Sequence, residues 1–294
     1  MRTLSAFRVA NGGDLPVLLT APLERVAQLA HAPHQGRRYT LSARHGLMLA
    51  LIFVASVGIA QAQAQSGHPP VLATLWKWMP LILKGFVFNI AISFLAMAIG
   101  TFFGVFLGLA QIAQFRPLRK GAWFATHFFR NAPWLVLLFY CMFLLPFKFT
   151  LLGVTIPFPD WIKATIGLSL PVMANVSEIV RGAIQSIPTA QWESAYSLAF
   201  TRRQTLWMIV LPQGVKRMLP PWMNLYCILA VGTVLASVVG VQEVMTLTGD
   251  ALSSENRPEL LMPFYGFVLL LFFAYSYPIA RWTVAMERKY AVKI

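Results

Sequence analysis

The sequence predicts an all-α membrane protein, and three observations carry the prediction: scarce charge, long apolar runs, and basic residues gathered between alternate runs. Of 294 residues, 57% are hydrophobic and 12% charged, about half the charged fraction of a typical soluble domain. Mean hydropathy is +0.64. A surface so poor in charge suits a lipid bilayer. The net charge of +14 invites a nucleic-acid partner, which requires one basic patch on a folded domain. Here Lys and Arg fall instead in short clusters between apolar runs, so no nucleic acid is expected.

Residues 1–45 show no apolar periodicity and read as a basic, disordered tail or the product of an early start codon. The segment 46–65 contains an apolar run, Gly46 to Ala60. Arg37, Arg38 and Arg44 precede it and Ala60-Gln61-Ala62-Gln63-Ala64 follows. A basic region, a short apolar run and an Ala-x-Ala exit make a signal-peptide pattern; an extra transmembrane helix fits the same residues. Either places residue 70 outside. Over 71–84, Leu72, Leu75, Trp76 and Met79 lie three or four apart, which suits a helix lying in the outer interface.

A bilayer core of about 30 Å needs roughly 20 apolar residues in a helix. Five stretches qualify: Leu81 to Ala113, Pro133 to Leu152, Trp161 to Val180, Trp222 to Val241 and Pro263 to Trp282. The first is followed by Arg116, Arg119, Lys120 and Arg130, the third by Arg181, Arg202, Arg203, Lys216 and Arg217, the fifth by Arg288, Lys289 and Lys293. Cytoplasmic loops carry the Lys and Arg excess, so these three spans exit inward: the core starts outside and ends in the cytoplasm. Glycines 100, 104 and 108 form a small-residue ridge for close helix packing.

The third inward loop, 182–217, is too polar to span and too patterned for a tether. Thr189 is a candidate N-cap, with Glu193 in the early turns of a short helix. That helix is expected to end near Phe200-Thr201, with Arg202 and Arg203 opposing its negative end. A second stretch, Thr205 to Val210, should stop at Leu211-Pro212. A structured helix-turn-helix of this kind suits docking into a partner's groove.

Glu193-Ser194-Ala195, then Ala199, then Ile209-Val210-Leu211-Pro212 resembles the EAA loop of ABC importer permeases, written E-A-A, three residues, G, nine residues, I-x-L-P. Glu178 to Ile184, Gln191-Trp192-Glu193, Arg130 to Pro133 and Leu83-Lys84-Gly85 are similar to the polar amino acid (histidine/glutamine-type) permeases in particular. The resemblance covers roughly residues 80–290. It implies a type I ABC importer transmembrane domain over 81–290, with five core helices plus the N-terminal signal-like or extra helix. It implies a permease subunit moving amino acids or similar small polar solutes across a bacterial inner membrane. ATP would be hydrolysed on a separate ATP-binding ABC subunit coupled through Glu193, Ser194, Ala195, Ala199, Ile209, Leu211 and Pro212. A second permease subunit, the same or homologous, and a periplasmic or extracellular solute-binding protein would complete the assembly.

Six residues depart from the family pattern. A methyl group at Ala199 replaces the family glycine, so either the turn there is right-handed or the partner's groove differs. Asn131-Ala132 and Leu137 replace the frequent Gly-Thr and Gln, and Asn175 and Ser177 replace Tyr and Ala, on the spans that line the family's route.

Asn175, Glu178, Asn224 and Glu243 are candidate pathway residues, since polar groups in a bilayer mark routes. Simpler readings stand beside each. Glu178 and Arg181 suit an i,i+3 ion pair; Asn89, Asn175 and Asn224 suit interhelical hydrogen bonds; Gln242 and Glu243 suit the outer end of a span. Cys141 and Cys227 lie in apolar runs and read as core residues. The sequence contains no P-loop, metal-ligand cluster or nucleophile–base pair, so neither catalysis nor a cofactor on this chain is expected. A stand-alone ion-coupled carrier or channel also accounts for the spans, but leaves the loop from Thr189 to Pro212 without a purpose.

Overall fold

The computed structural model describes residues 43–63, 68–151 and 154–290; most of the expected tail, residues 1–42, lies outside them, as do residues 64 and 65. In chain order the elements are α1 (Ala43–Gln63), α2 (Val71–Gln111), α3 (Arg116–Asn131), α4 (Trp134–Leu144), β1 (Lys148–Leu151), β2 (Val154–Pro157), α5 (Asp160–Gln185), α6 (Thr189–Ser197), α7 (Arg202–Val239), α8 (Val244–Glu255) and α9 (Leu261–Tyr290). Among the described residues, Arg44–Gln63, Val71–Gln111, Arg202–Val239 and Pro258–Tyr290 are long and apolar enough to cross a bilayer.

The run at 46–60 lies within helix α1, which packs on α9. Phe53 and Val57 join the core cluster there, and a Cβ at Gly266 would lie 3.3 Å from the Phe53 ring. Gln61 Oε1 accepts from the Val71 backbone N–H at 2.9 Å, satisfying one of the free donors at the start of α2. Residues 71–84 and the first span form one unbroken helix of 41 residues. Its far end packs on α5 through the glycine ridge: a Cβ at Gly100 would sit 2.4 Å from Val172 Cγ1, and at Gly104 2.7 Å from the Met173 carbonyl.

The second span differs from expectation. Helix α4 has 11 residues, Trp134 to Leu144, about 16 Å at 1.5 Å per residue and half a bilayer. Pro146 ends it: a residue before proline is pushed out of the helical region, and Leu145 is extended at ψ 136°. Residues 148–151, expected as helix, enter an antiparallel hairpin with Lys148 opposite Pro157 and Leu151 opposite Val154; residue 152 of that expected span lies outside the described residues. Helix α3 meets α4 at a 105° bend, and the two together are apolar enough for one broken span.

Helix α5 falls short of those four in apolarity, and its setting explains why. It packs against α2, α3, α4 and α7, with Leu168, Val172, Val176 and Val180 in the central core. A helix surrounded by protein need not present an apolar surface to lipid. At its start Lys163, 0% exposed, donates to Asp160 Oδ1 at 3.2 Å and lies 3.3 Å from the centre of the Phe147 ring, which fastens the hairpin to the helix.

Helix α7 runs through the expected stop. Thr205–Val210 is π-helical, and this wide turn accommodates Pro212, which has no N–H and crowds the preceding carbonyl. The span expected from Trp222 therefore begins twenty residues earlier, at Arg202. Helix α8 is tied to the start of α2: Glu255 Oε1 accepts from Lys77 Nζ and Trp78 Nε1, both at 2.7 Å. These bonds hold the Glu255 carboxyl below the usual range.

Candidate functional site

Two features converge at the basic end of the bundle: a corner built from α6 and the start of α7, and a cavity behind it. Helix α6 begins one residue earlier than expected in register. Pro188 is its N-cap, without a side-chain hydrogen bond, and Thr189 is the first helical residue. Trp192 packs against the central core and Ala195 is 1% exposed, while Glu193 and Ser194 face out. The helix closes in a Schellman arrangement. Phe200 N–H donates to the Ala195 carbonyl at 3.0 Å and Ala199 N–H to the Tyr196 carbonyl at 2.9 Å.

That arrangement places Ala199 at φ +59°, in the left-handed region. The right-handed alternative is thereby corrected: the turn keeps the conformation that glycine favours, and alanine bears its strain of about 1 kcal/mol. The chain then restarts immediately. Thr201 and Gln204 form a capping box, with Thr201 N–H donating to Gln204 Oε1 at 2.9 Å. Arg202 and Arg203 consequently stand at the amino end of α7 instead of closing α6, a second correction. Of the residues expected to couple to a partner, Ile209 and Leu211 are half-buried and Pro212 is exposed. Tyr196, Leu198, Trp207 and Met208 add an exposed apolar rim, with Leu198 72% exposed.

The cavity behind the corner has a volume of about 510 Å³, and Arg130, Asn175, Glu178, Ser186, Arg217 and Asn224 are among its lining residues. Three of the four candidate pathway residues thus share one space. Glu178 accepts from Arg181 Nε at 3.1 Å and Nη2 at 2.6 Å, and Arg130 Nη1 lies 3.5 Å away. The i,i+3 ion pair and a cavity position therefore hold together. Asn175 Nδ2 donates to the Pro171 carbonyl at 2.8 Å, within its own helix. Arg130 and Arg217 were hidden in the sequence because both belong to the clusters that set orientation.

Glu243 does not line this cavity. It is 0% exposed and caps α8, accepting from the Met245 and Thr246 N–H groups at 2.8 and 3.0 Å and from Asn89 Nδ2 at 2.8 Å. Asn89 also donates to Thr233 Oγ1 at 3.1 Å and accepts from Val244 N–H at 3.0 Å. Asn89 is thus an interhelical hydrogen-bonding residue, and Glu243 a buried cap. Deep in the basic end, Gln111 Nε2 joins Thr126 Oγ1 at 3.0 Å and Ser177 Oγ at 3.1 Å, pinning α2, α3 and α5 together.

Comparison with known proteins places this geometry in context. A family model described as the inner membrane component of binding-protein-dependent transport systems matches residues 100–285. The probable amino-acid ABC transporter permease protein YckA of Bacillus subtilis is 34% identical over 212 residues, 72% of this chain and 90% of the relative. The L-cystine transport system permease protein TcyB of the same organism is 35% identical over 187 residues, 63% of this chain and 76% of its own length. Among solved structures, an amino acid ABC transporter crystallised with histidines aligns over 74% of this chain and 97% of its own, with a TM-score of 0.65 and 22% identity.

Proposed function

The chain belongs to the family of binding-protein-dependent transport system inner membrane components, and from that premise we propose how it works. It is a multi-pass transport subunit and not an enzyme: the permease of an ABC importer for amino acids. A separate ATP-binding subunit receives the corner formed by α6 and residues 199–212. A second permease subunit completes the pathway, and a solute-binding protein delivers the solute from the other side. The amino-acid assignment draws on the names of the relatives.

The observation that carries the docking reading is the corner itself. It combines a Schellman closure, a capping box and an exposed rim of Glu193, Ser194, Leu198 and Trp207. A rigid, two-ended turn presenting both charge and apolar surface is what a partner's groove needs. The excess of Arg and Lys at this end favours the cytoplasmic side, where ATP is available. Within the cavity, Asn175, Glu178 and Asn224 are proposed to meet the solute. Arg130 and Arg217 supply positive charge complementary to a carboxylate.

An affinity pull-down from detergent-solubilised native membranes tests the docking. The parent chain is expected to recover an ATP-binding subunit, and Glu193→Arg to lose most of it while remaining folded and in the membrane. A well-folded, abundant parent that recovers no such subunit would turn the reading toward a solitary carrier.

A further inference from the structure

Arg202 opens α7, and a cation in the first helical turn opposes the macrodipole of its own helix. Its guanidinium does not simply turn to solvent. Nη2 donates to the Ile112 carbonyl at 3.1 Å, 90 residues away in sequence. Ile112 is the residue that ends α2, where the last carbonyls lack helical donors. Arg119 Nη1 reaches the next carbonyl, Ala113, at 3.4 Å. The charge that is misplaced on α7 is therefore well placed on α2. Lys120, another cation near the start of a helix, is exposed and its side chain makes no hydrogen bond or ion pair among the described residues.

What the tie joins gives it meaning. On one side is the corner, whose backbone is fixed by the Schellman closure and the capping box. On the other is α2, which the glycine ridge locks against Val172, Val176 and Val180 of α5. A sliding or parting of these two helices would break contacts already closer than ordinary packing allows a methyl group, so a displacement of α2 is expected to carry α5 with it. Helix α5 in turn supplies Asn175 and Glu178 to the cavity wall. Arg217 makes a similar link nearby, its Nη1 donating to Ser186 Oγ at 2.9 Å, on the residue that ends α5.

We propose that Arg202 is a positioning residue that passes movement of the docking corner to the carboxyl end of α2, and through the glycine ridge to the cavity wall. The inference rests on the docking reading above and adds to it a single mechanical contact.

The test is hydrogen exchange on the complex with its ATP-binding subunit in lipid nanodiscs, nucleotide-free and trapped with ATP and vanadate. Peptides covering 189–200 report docking, and peptides covering 105–115 report the end of α2. In the parent and in Lys120→Ala, trapping is expected to change exchange in both peptides. In Arg202→Ala the change at 189–200 should persist while that at 105–115 falls roughly fivefold, and Arg202→Lys should restore part of it. An unaltered response at 105–115 in Arg202→Ala overturns the proposal. Equal losses in Arg202→Ala and Lys120→Ala also overturn it, because charge alone would then explain both. Loss at 189–200 in Arg202→Ala would make the residue a docking contact, contrary to the proposal. If even the parent shows no change at 189–200 when the ATP-binding subunit is present, the docking reading itself fails and takes this inference with it.

Discussion

At Ala199 the backbone holds φ +59°, a conformation that glycine adopts freely and alanine resists. The Schellman bonds on either side fix that conformation, so the strain is carried and not relieved. Ala199→Gly should therefore stabilise the closure by about 0.5–1 kcal/mol, since strain relief outweighs the added freedom of the unfolded chain. Native-state hydrogen exchange at Phe200, whose N–H bonds the Ala195 carbonyl, checks this: roughly a threefold slowing is expected, and unchanged or faster exchange would contradict it. The left-handed turn was not legible in the sequence, because alanine carries no signal for it. The tie at Arg202 was equally hidden: nothing local links it to a carbonyl 90 residues away.

At the scale of elements, glycine has opposite meanings at two places on neighbouring helices. Gly104 lies against α5, where a Cβ would come within 2.7 Å of both the Met173 carbonyl and Val176 Cβ. Gly121, in α3, has nothing within 4 Å of an added Cβ. Gly104→Leu is expected to cost about 1–3 kcal/mol or more through overpacking. Gly121→Ala should be neutral or stabilising by up to about 1 kcal/mol through helix propensity. Thermal unfolding in one detergent, with the two variants side by side, separates these cases; equal melting points would contradict the ridge. The ridge itself was readable from its four-residue spacing. The short α4 was not, since an apolar run does not reveal by hydropathy that Pro146 will end the helix and send the chain into a hairpin.

For the whole molecule, apolar runs and basic gaps were enough to read the membrane class and most helices, because lipid imposes a length and a polarity that sequence displays directly. The π-helical turn before Pro212 and the helix's continuation through it escaped that reading, since proline alone argues for a stop. The corner's existence was legible through its pattern. The grouping of Asn175, Glu178 and Asn224 around one cavity with Arg130 and Arg217 needed the packing of α3, α5 and α7, which no local periodicity encodes. Glu243 shows the converse: a carboxylate in an apolar setting read as a pathway candidate, yet its acceptor sites are filled by Asn89 and the first turn of α8.

The central claim is that the corner seats in an ATP-binding subunit, and site-specific photo-cross-linking tests it most directly. A benzophenone side chain placed at Leu198, 72% exposed on the corner's rim, is irradiated in native membranes, with the same group at Phe102 on the apolar flank of α2 as the control. An adduct between Leu198 and an ATP-binding subunit is expected, identified by mass spectrometry and lost with Glu193→Arg, with no such adduct from Phe102. An abundant, folded chain whose Leu198 probe captures only lipid, or a protein without an ATP-binding domain, would contradict it.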